Sequence, residues 1–519
     1  MSRPVLKPLT GDLRLHALAL VGGVATSFAH APHGAWYVAP LSGLALTWIA
    51  DRAPLPAAAL VAGGLFGVGL YGATLGWLFA GIAASDALLR AHALPSVLIL
   101  AFSAAPAVIA WIAMSAWRRG TSSLAVAGLL IPGLWTLGEW ARHFSRFHFP
   151  WGQLGYTQAP GSPLSALFPV IGALGLSFVV VMLGGLLALL SLRHTRREWP
   201  ATVAAIAALV GLGLASTAIE WTRPVLQPIR MRLLQGNFPA TDKFDRAQVL
   251  RALDQYRSAL LASDAPVTVL PETALPLLEH QLPEAYIASL ERAATEEKRD
   301  LLISFFRPSG LDTGGYFSSA RVIGVSGAQT RDKRFLVPFG EYLPATGLLG
   351  LLPERPSGTH MTDTVPGLVD QDGIVMGGVR VALKLCFEDL FASALRSEDA
   401  AAGYLVVISN DSWEGSDAPM HQHLQVAQAR AAEAGKPLLR VANTGWSASI
   451  DHRGRIVAAA PPNRPAVLDA AVQPREGVTP YTRYGDAIPV GFAALAAVLA
   501  VLGVGPASRG GAPHIVVRT

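Results

Sequence analysis

The 519-residue chain is 51% hydrophobic and only 15% charged, against about 25% charged in an ordinary soluble protein. Residues 1–222 carry 12 Lys/Arg and 6 Asp/Glu, while the other 297 positions carry 29 and 30. This excludes a fully soluble protein, and with no long polar tract it excludes disorder. The net charge of +5 belongs to the charge-poor part, so the charge-rich part has no basic patch suited to nucleic acid.

The charge-poor part is a series of apolar runs, at about 13–30, 35–50, 57–82, 94–117, 122–140, 164–192 and 200–219. Crossing a bilayer as a helix takes roughly 20 such residues, and the first two runs are the shortest. The stretch 147–192 contains no Asp, Glu, Lys or Arg. Seven runs in one block predict membrane helices rather than a soluble core. The first run passes into further spans without a clear cleavage site, unlike a signal peptide. Glu139, near the end of one span, reads as either an interfacial or a functional group.

Cations fix the expected orientation. With the N-terminus in the cytoplasm, eleven cations, among them Arg52, Arg118 and Arg193, fall on that side and only Arg90, Arg142 and Arg146 on the other. Residues 220–485 then lie outside the cytoplasm, and an eighth run near 486–504 returns the chain.

Residues 227–474 read as a globular α/β unit. Expected strands are Met231–Phe238, Val267–Leu270, Leu301–Phe306, Val379–Leu385, Leu405–Ser409 and Leu438–Val441. Expected helices are about 245–263, 283–297 and 420–434. Three strands run into polar clusters: Pro271-Glu272-Thr273, Cys386-Phe387-Glu388-Asp389 and Asn410-Asp411-Ser412-Trp413. Strand ends on a rigid sheet are where sites are usually built.

Cys386 is the sole cysteine, so no intramolecular disulfide or cysteine-based zinc site can form. By itself it reads equally as inert packing or as a reactive thiol, and Glu272 by itself as a solvated carboxylate. Together with a lysine they make a set for nucleophilic acyl transfer. A thiol attacks as its thiolate, a carboxylate can take its proton, and an ammonium can stabilise the oxyanion. Two lysines compete. Lys333 sits among Arg331 and Arg334, and Lys384 lies two residues before Cys386, on the same face by strand alternation. His421 and His423, at i and i+2 of a helix, do not face each other and cannot easily grip one metal ion. The leucine-rich stretch 348–352, within 345–365, reads as a lipid-dipping loop, a lid or core packing.

The chain carries PETALP (271–276), KRFLVPFGEYLP (333–344), CFED (386–389), NDSW (410–413), HLQVAQARAAE (423–433) and RVANTGWSASID (440–451). In the membrane half, a loop runs from Glu139-Trp140 through Phe149-Pro150-Trp151 to Gly155-Tyr156. In this order the motifs resemble the nitrilase superfamily, and most closely its membrane-bound branch, the apolipoprotein N-acyltransferases. The resemblance implies a multi-span α-helical membrane domain plus an α/β nitrilase-like domain built as an αββα sandwich. Its implied boundaries are 1–222, 223–480 for the periplasmic catalytic domain, and 481–519 for the last span and tail. It implies a catalytic triad of Glu272, Lys333 and Cys386, with Lys333 chosen over Lys384 because it precedes the LVPFGE run. Glu341 and Glu388 have supporting roles.

The implied reaction needs no metal or organic cofactor. A phospholipid, phosphatidylethanolamine, donates an acyl group to Cys386, and the resulting thioester acylates the α-amine of a diacylglyceryl-cysteine on an apolipoprotein. The implied location is the bacterial inner membrane. Phe244, Phe387, Ser412 and Glu414 depart from the family pattern and touch on substrate contacts rather than the triad. Two other classes remain open: a membrane-tethered amidase acting on a small amide, and a transporter or scaffold with an inert domain.

Overall fold

The computed structural model describes residues 10–79, 88–144, 148–239, 244–310, 315–338, 340–342, 364–411 and 416–503. The apolar runs fold into helices α1 (Thr10–Ser27), α2 (Leu41–Arg52), α3 (Pro56–Thr74), α4 (Leu88–Arg118), α5 (Ser123–Ala141), α6 (Phe168–Ser191) and α7 (Trp199–Ser216). Proline in the first turn starts α3, α6 and α7, where its missing N–H costs nothing. Within α5, a π turn at Val126–Leu130 precedes Pro132. The widened turn accommodates a residue that cannot make the regular bond.

Five helical stretches are long and apolar enough to cross a membrane: Pro56–Thr74, Pro95–Arg118, Ser123–Ala141, Ser165–Ser191 and Arg193–Ser216. Leu13–Ser27 is a shorter apolar helix, and the run expected at 35–50 yields only the 12-residue α2. Apolar side chains such as Leu18, Leu100, Val203 and Leu212 point outward, as a lipid-facing surface requires. The helices pack through small residues. A Cβ added to Gly184 of α6 would lie 1.8 Å from the Pro40 carbonyl oxygen at the start of α2, so only glycine permits this crossing.

The rest of the chain is two six-stranded mixed sheets. A short pair, β1 (Arg223–Pro224) with β14 (Arg475–Glu476), closes the base. The first sheet contains β2 (Ile229–Gln235), β3 (Val267–Val269), β4 (Asp300–Pro308), β5 (Tyr316–Gly324), β6 (Gln329–Asp332) and β13 (Ala466–Val472), in the order β13-β2-β3-β4-β5-β6. The second contains β7 (Ile374–Met376), β8 (Val379–Leu385), β9 (Tyr404–Ser409), β10 (Leu438–Ala442), β11 (Ser447–Ile450) and β12 (Ile456–Ala460), in the order β12-β11-β10-β9-β8-β7. The central strands β2-β3-β4 and β8-β9-β10 are parallel. They are covered on both faces, which explains their unbroken apolar runs.

Met231, Val267, Val269 and Val322 of one sheet meet Leu383, Leu385, Val406 and Val441 of the other in the central core. Helices α8 (Arg246–Leu261) and α9 (Glu284–Glu296) cover the first sheet. Helix α11 (Ala418–Ala434) covers the second, α10 (Ala392–Ala401) follows β8, and α12 (Pro480–Tyr484) leads into α13 (Ala487–Val501). This is an αββα sandwich.

Helix α11 has almost no solvent face: 15 of its 17 residues are buried. Leu424, Ala427, Ala431 and Ala434 pack on the second sheet, while Val426, Ala429 and Ala432 join the core of the membrane half. Its amides complete the seam. Gln422 accepts from Trp151 Nε1 at 2.6 Å and Trp77 Nε1 at 3.2 Å, and donates to the Thr74 carbonyl at 3.0 Å. Gln425 accepts from Ala31 N, and Glu433 from Ala173 N.

Replacing Gly184 with valine should destabilise the detergent-purified protein by at least the roughly 1–3 kcal/mol typical of overpacking. Gly211→Ala on α7, where an added Cβ meets nothing within 4 Å, should leave the unfolding temperature unchanged or raised. Thermal melts of both variants check this.

Candidate active site

Four chain segments converge at the C-terminal ends of the parallel strands. After β3, the chain turns at Glu272 and Thr273, the latter at φ +48°. After β6 comes Lys333, held by its backbone N–H to the Ser318 carbonyl and its own carbonyl to Gly367 N, each at 2.8 Å. Lys333 is 1% exposed. Its Nζ lies 2.8 Å from Glu272 Oε1 and 2.8 Å from Glu341 Oε1. The second oxygen of Glu341 accepts from Val337 N at 2.8 Å. One buried ammonium thus faces two carboxylates. Burial works against the Lys333 charge, but Glu272 and Glu341 more than offset it and hold the ammonium well above its ordinary range. Burial raises the Glu341 carboxyl, against the pull of Lys333.

Cys386 opens a short 3₁₀ turn, Cys386–Leu390, directly after β8. Its φ is +51°, a conformation that costs a non-glycine residue of order 1–3 kcal/mol. Glu388 holds this turn in register: Oε2 accepts from Leu385 N at 2.8 Å and Oε1 from Arg334 N at 2.6 Å. It therefore ties the Cys386 turn to the Lys333 segment. Cys386 keeps part of its surface open, yet the protein packed around Sγ pushes the thiol up. Glu272 adds to that push and Lys333 opposes it. The charges of Glu272 and Lys333 therefore both reach the sulfur.

Lys384 is elsewhere. Its neighbour in the alternation, Ala382, packs in the helix-facing cluster, and Lys384 reaches the same side to bond Asp399 Oδ2 of α10 at 2.8 Å. Alternation leaves both on the helix-covered side of the sheet, where Cys386 Sγ meets Ser409 Oγ of β9, but Lys384 is taken up by Asp399 rather than by the sulfur.

The sequence reading missed a buried charge network behind the sulfur. Ser409 Oγ lies 3.3 Å from Cys386 Sγ and 2.5 Å from Asp411 Oδ1. His423 bonds Asp411 through Nδ1 at 2.9 Å and Asp389 through Nε2 at 3.0 Å. Arg440 Nη2 also donates to Asp411. Carboxylates only accept, so both ring nitrogens of His423 donate and the ring is an imidazolium. Burial and Arg440 disfavour that charge, but Asp389 and Asp411 raise the ring to about 9. Cys386, Asp411 and His423 offer ligand atoms within 4.8 Å of one another, but the ring nitrogens are already taken up by this ion-pair network. The available signal was His423 and Arg440 on otherwise apolar elements, where an unpaired charge would be prohibitive.

The membrane half forms one wall. His148 and Phe149 pack against Phe387 with centroids 6.2 and 5.9 Å away, and Phe335 stacks on Phe391 at 4.2 Å. Glu139 is buried, accepting from Trp135 Nε1 and Leu154 N at 2.9 Å each beside Arg142 at 3.4 Å. It anchors the loop that carries these aromatics. Phe244 is exposed, its ring 6.3 Å from Phe306. The 348–352 leucines, Ser412 and Glu414 lie outside the described residues.

Residues 230–481 match the carbon-nitrogen hydrolase family, which sets the class of the α/β part. Residues 22–186 match the N-terminal domain of apolipoprotein N-acyltransferase. The apolipoprotein N-acyltransferase of Nitrosomonas europaea is 36% identical, covering 92% of this chain and 95% of that protein. That of Chromobacterium violaceum is 33% identical over 96% of each. An amidase from Nesterenkonia sp. AN1, 17% identical, superposes with a TM-score of 0.36 over 48% of this chain and 93% of its own. The chain belongs to the apolipoprotein N-acyltransferase family of membrane enzymes.

The two lysines should separate by readout. Lys384→Met leaves Asp399 buried without its cation, a loss of about 3–5 kcal/mol. The variant should melt at a markedly lower temperature, while its folded fraction keeps wild-type Cys386 alkylation. Thermal melts and thiol labelling at low temperature check both halves.

Proposed function

We propose that this chain moves an acyl group from a phospholipid, phosphatidylethanolamine, to the α-amine of the diacylglyceryl-cysteine at the N-terminus of an apolipoprotein. Family membership supports the reaction class. The observation that carries the mechanism is the buried Glu272–Lys333–Glu341 cluster beside the partly open thiol of Cys386. Glu272 takes the thiol proton and Sγ attacks the acyl ester carbonyl. An ammonium has three protons. Two face Glu272 and Glu341, which leaves the third for the oxyanion. Collapse breaks the ester C–O bond, the lysophospholipid leaves with the proton from Glu272, and a thioester remains on Cys386. The incoming amine attacks that thioester, passes a proton to Glu272, and the amide departs as the thiol re-forms.

Glu341 holds Lys333 in place and charged, and Glu388 holds the nucleophile's turn. No step calls for a metal or organic cofactor. The cluster of Phe149, Phe335, Phe387 and Phe391 packs the Cys386 turn against the membrane half. It lies at the seam with the membrane helices, where both lipid-anchored substrates can reach the sulfur. Such a seam is out of keeping with a site for a small soluble amide.

We further assign the chain to the bacterial inner membrane, with a membrane domain at 1–222 of about seven transmembrane helices. The catalytic domain, 223–480, faces the periplasm, and 481–519 returns the chain. The cation asymmetry of the loops supports this orientation.

Intact-mass spectrometry of protein incubated with phosphatidylethanolamine should find one acyl adduct on Cys386, absent from Cys386→Ala. Acyl transfer by Cys386→Ala would overturn the mechanism. Lys333→Ala should lower the transfer rate by at least about 10²–10³ through loss of oxyanion stabilisation. Lys333→Arg should not restore it, because a planar guanidinium does not reproduce a compact point charge.

A reporter fused after residue 300 should report a periplasmic position. Cytoplasmic labelling there would reverse the orientation.

A further inference from the structure

Ser409 ends β9 with its side chain fully buried, between the nucleophile and the charge network. Its Oγ is placed to donate either to Asp411 Oδ1 at 2.5 Å or to Cys386 Sγ at 3.3 Å. A hydroxyl carries one proton, so it cannot donate to both. The two acceptors are unequal. Asp411 is an ionised carboxylate: burial alone would raise it, but Arg440 and the His423 imidazolium hold it far below its usual range. An O–H to a carboxylate at this separation is a short, charge-assisted bond. A neutral thiol is a weak acceptor at a longer distance. With its proton committed to Asp411, Ser409 turns a lone pair toward the sulfur, and a lone pair can only receive an S–H.

We propose that Asp411 fixes the Ser409 hydroxyl as an acceptor for the Cys386 S–H, so that the pair orients the sulfur and holds it as a neutral thiol between turnovers. The proposal rests on reading Cys386 as the nucleophile. His423, Asp389 and Arg440 act at one remove, keeping Asp411 ionised and aimed. The groups that bear on the sulfur come from every surrounding segment: Glu272 after β3, Lys333 after β6, Asp411 after β9 and Arg440 on β10. Glu272 and Asp411 favour the thiol, Lys333 favours the thiolate, and a Ser409 proton turned to the sulfur would favour the thiolate too. Ser409 is the neutral member of this shell, so its removal changes no charge, and the sign of the effect reports the direction of its hydrogen bond.

That sign is measurable because Cys386 is the sole cysteine. Iodoacetamide reacts with the thiolate, forming an S–C bond and releasing iodide. At a fixed pH below the thiol's pKa, its rate follows the thiolate fraction. The test uses the full chain in detergent at about pH 8, close to the ordinary thiol range. Ser409→Ala removes the acceptor and destabilises the thiol, so alkylation should quicken about threefold to tenfold, the fold-change expected for one lost hydrogen bond. Methyl methanethiosulfonate, a smaller reagent, should quicken by the same factor. Unequal factors would point to altered access and would overturn the proposal. A rate that slows in Ser409→Ala would mean that Ser409 donates to the thiolate, and an unchanged rate would mean that it has no part in the thiol's acidity. Either result overturns the proposal. Ser409→Gly repeats the test should the alanine variant unfold, and Ser409→Thr, which keeps the hydroxyl, should alkylate as the wild type does. None of these outcomes depends on acyl transfer, whose failure would show separately as transfer retained by Cys386→Ala.

Discussion

Helix α11 has to satisfy two solvents at once. One side closes the core of the second sheet, the other docks into the membrane half, and 15 of 17 residues are buried between them. That constraint accounts for its unusual sequence. Alanines at the sheet and membrane contacts let both neighbours approach. Gln422, Gln425 and Glu433 meet backbone and indole groups that would otherwise be stranded away from water, which is costly for each group left unpaired. His423 rises from the same helix into the charge network, so the element that joins the two halves also supports the residues behind the sulfur.

The site itself follows from an economy of charge in a buried place. Isolated, Lys333 would be prohibitive to bury; between Glu272 and Glu341 it is held charged. The same rule repeats behind Cys386, where Asp389 and Asp411 balance His423 and Arg440. Such clusters are weak contributors to stability but strict about geometry, since removing one member strands the others. The strained backbone at Cys386 belongs with them. It starts the turn that carries the sulfur, and the two bonds of Glu388 hold that turn in place.

Much of the architecture was legible because it is periodic. The runs of apolar residues became helices, and all six expected strands formed within a few residues of their expected ends, as did α8, α9 and α11. What escaped was mostly short or exposed on one face, and β5, nine residues long, escaped because Ser318, Ser319 and Arg321 interrupt its apolar pattern. β6, β7 and β11 span three or four residues, too few to show a period. β12 and β13 alternate weakly and carry exposed valines at 457 and 467. In the site, Asp389 and Arg440 lie inside quoted motifs and Ser409 just before one, yet the network they form could not be read in advance. Their significance lies in pairings across β9, β10 and α11 that no local spacing encodes. Lys384 shows the reverse hazard, since a lysine two residues from the sulfur in sequence is taken up by Asp399 of α10.

A helix shared by both halves also rules out hinge motion as a way of exposing the sulfur. Rotating one half against the other would tear Gln422 from Trp77, Trp151 and Thr74 together. Under the proposed function both substrates are lipid-anchored and reach the sulfur from the bilayer, so exchange there is two-dimensional. For lipid-anchored molecules arriving in this way, the governing concentration is the mole fraction in the membrane rather than the amount per volume of solution. Diluting the bilayer with inert lipid would then slow the protein even when every bulk concentration is unchanged.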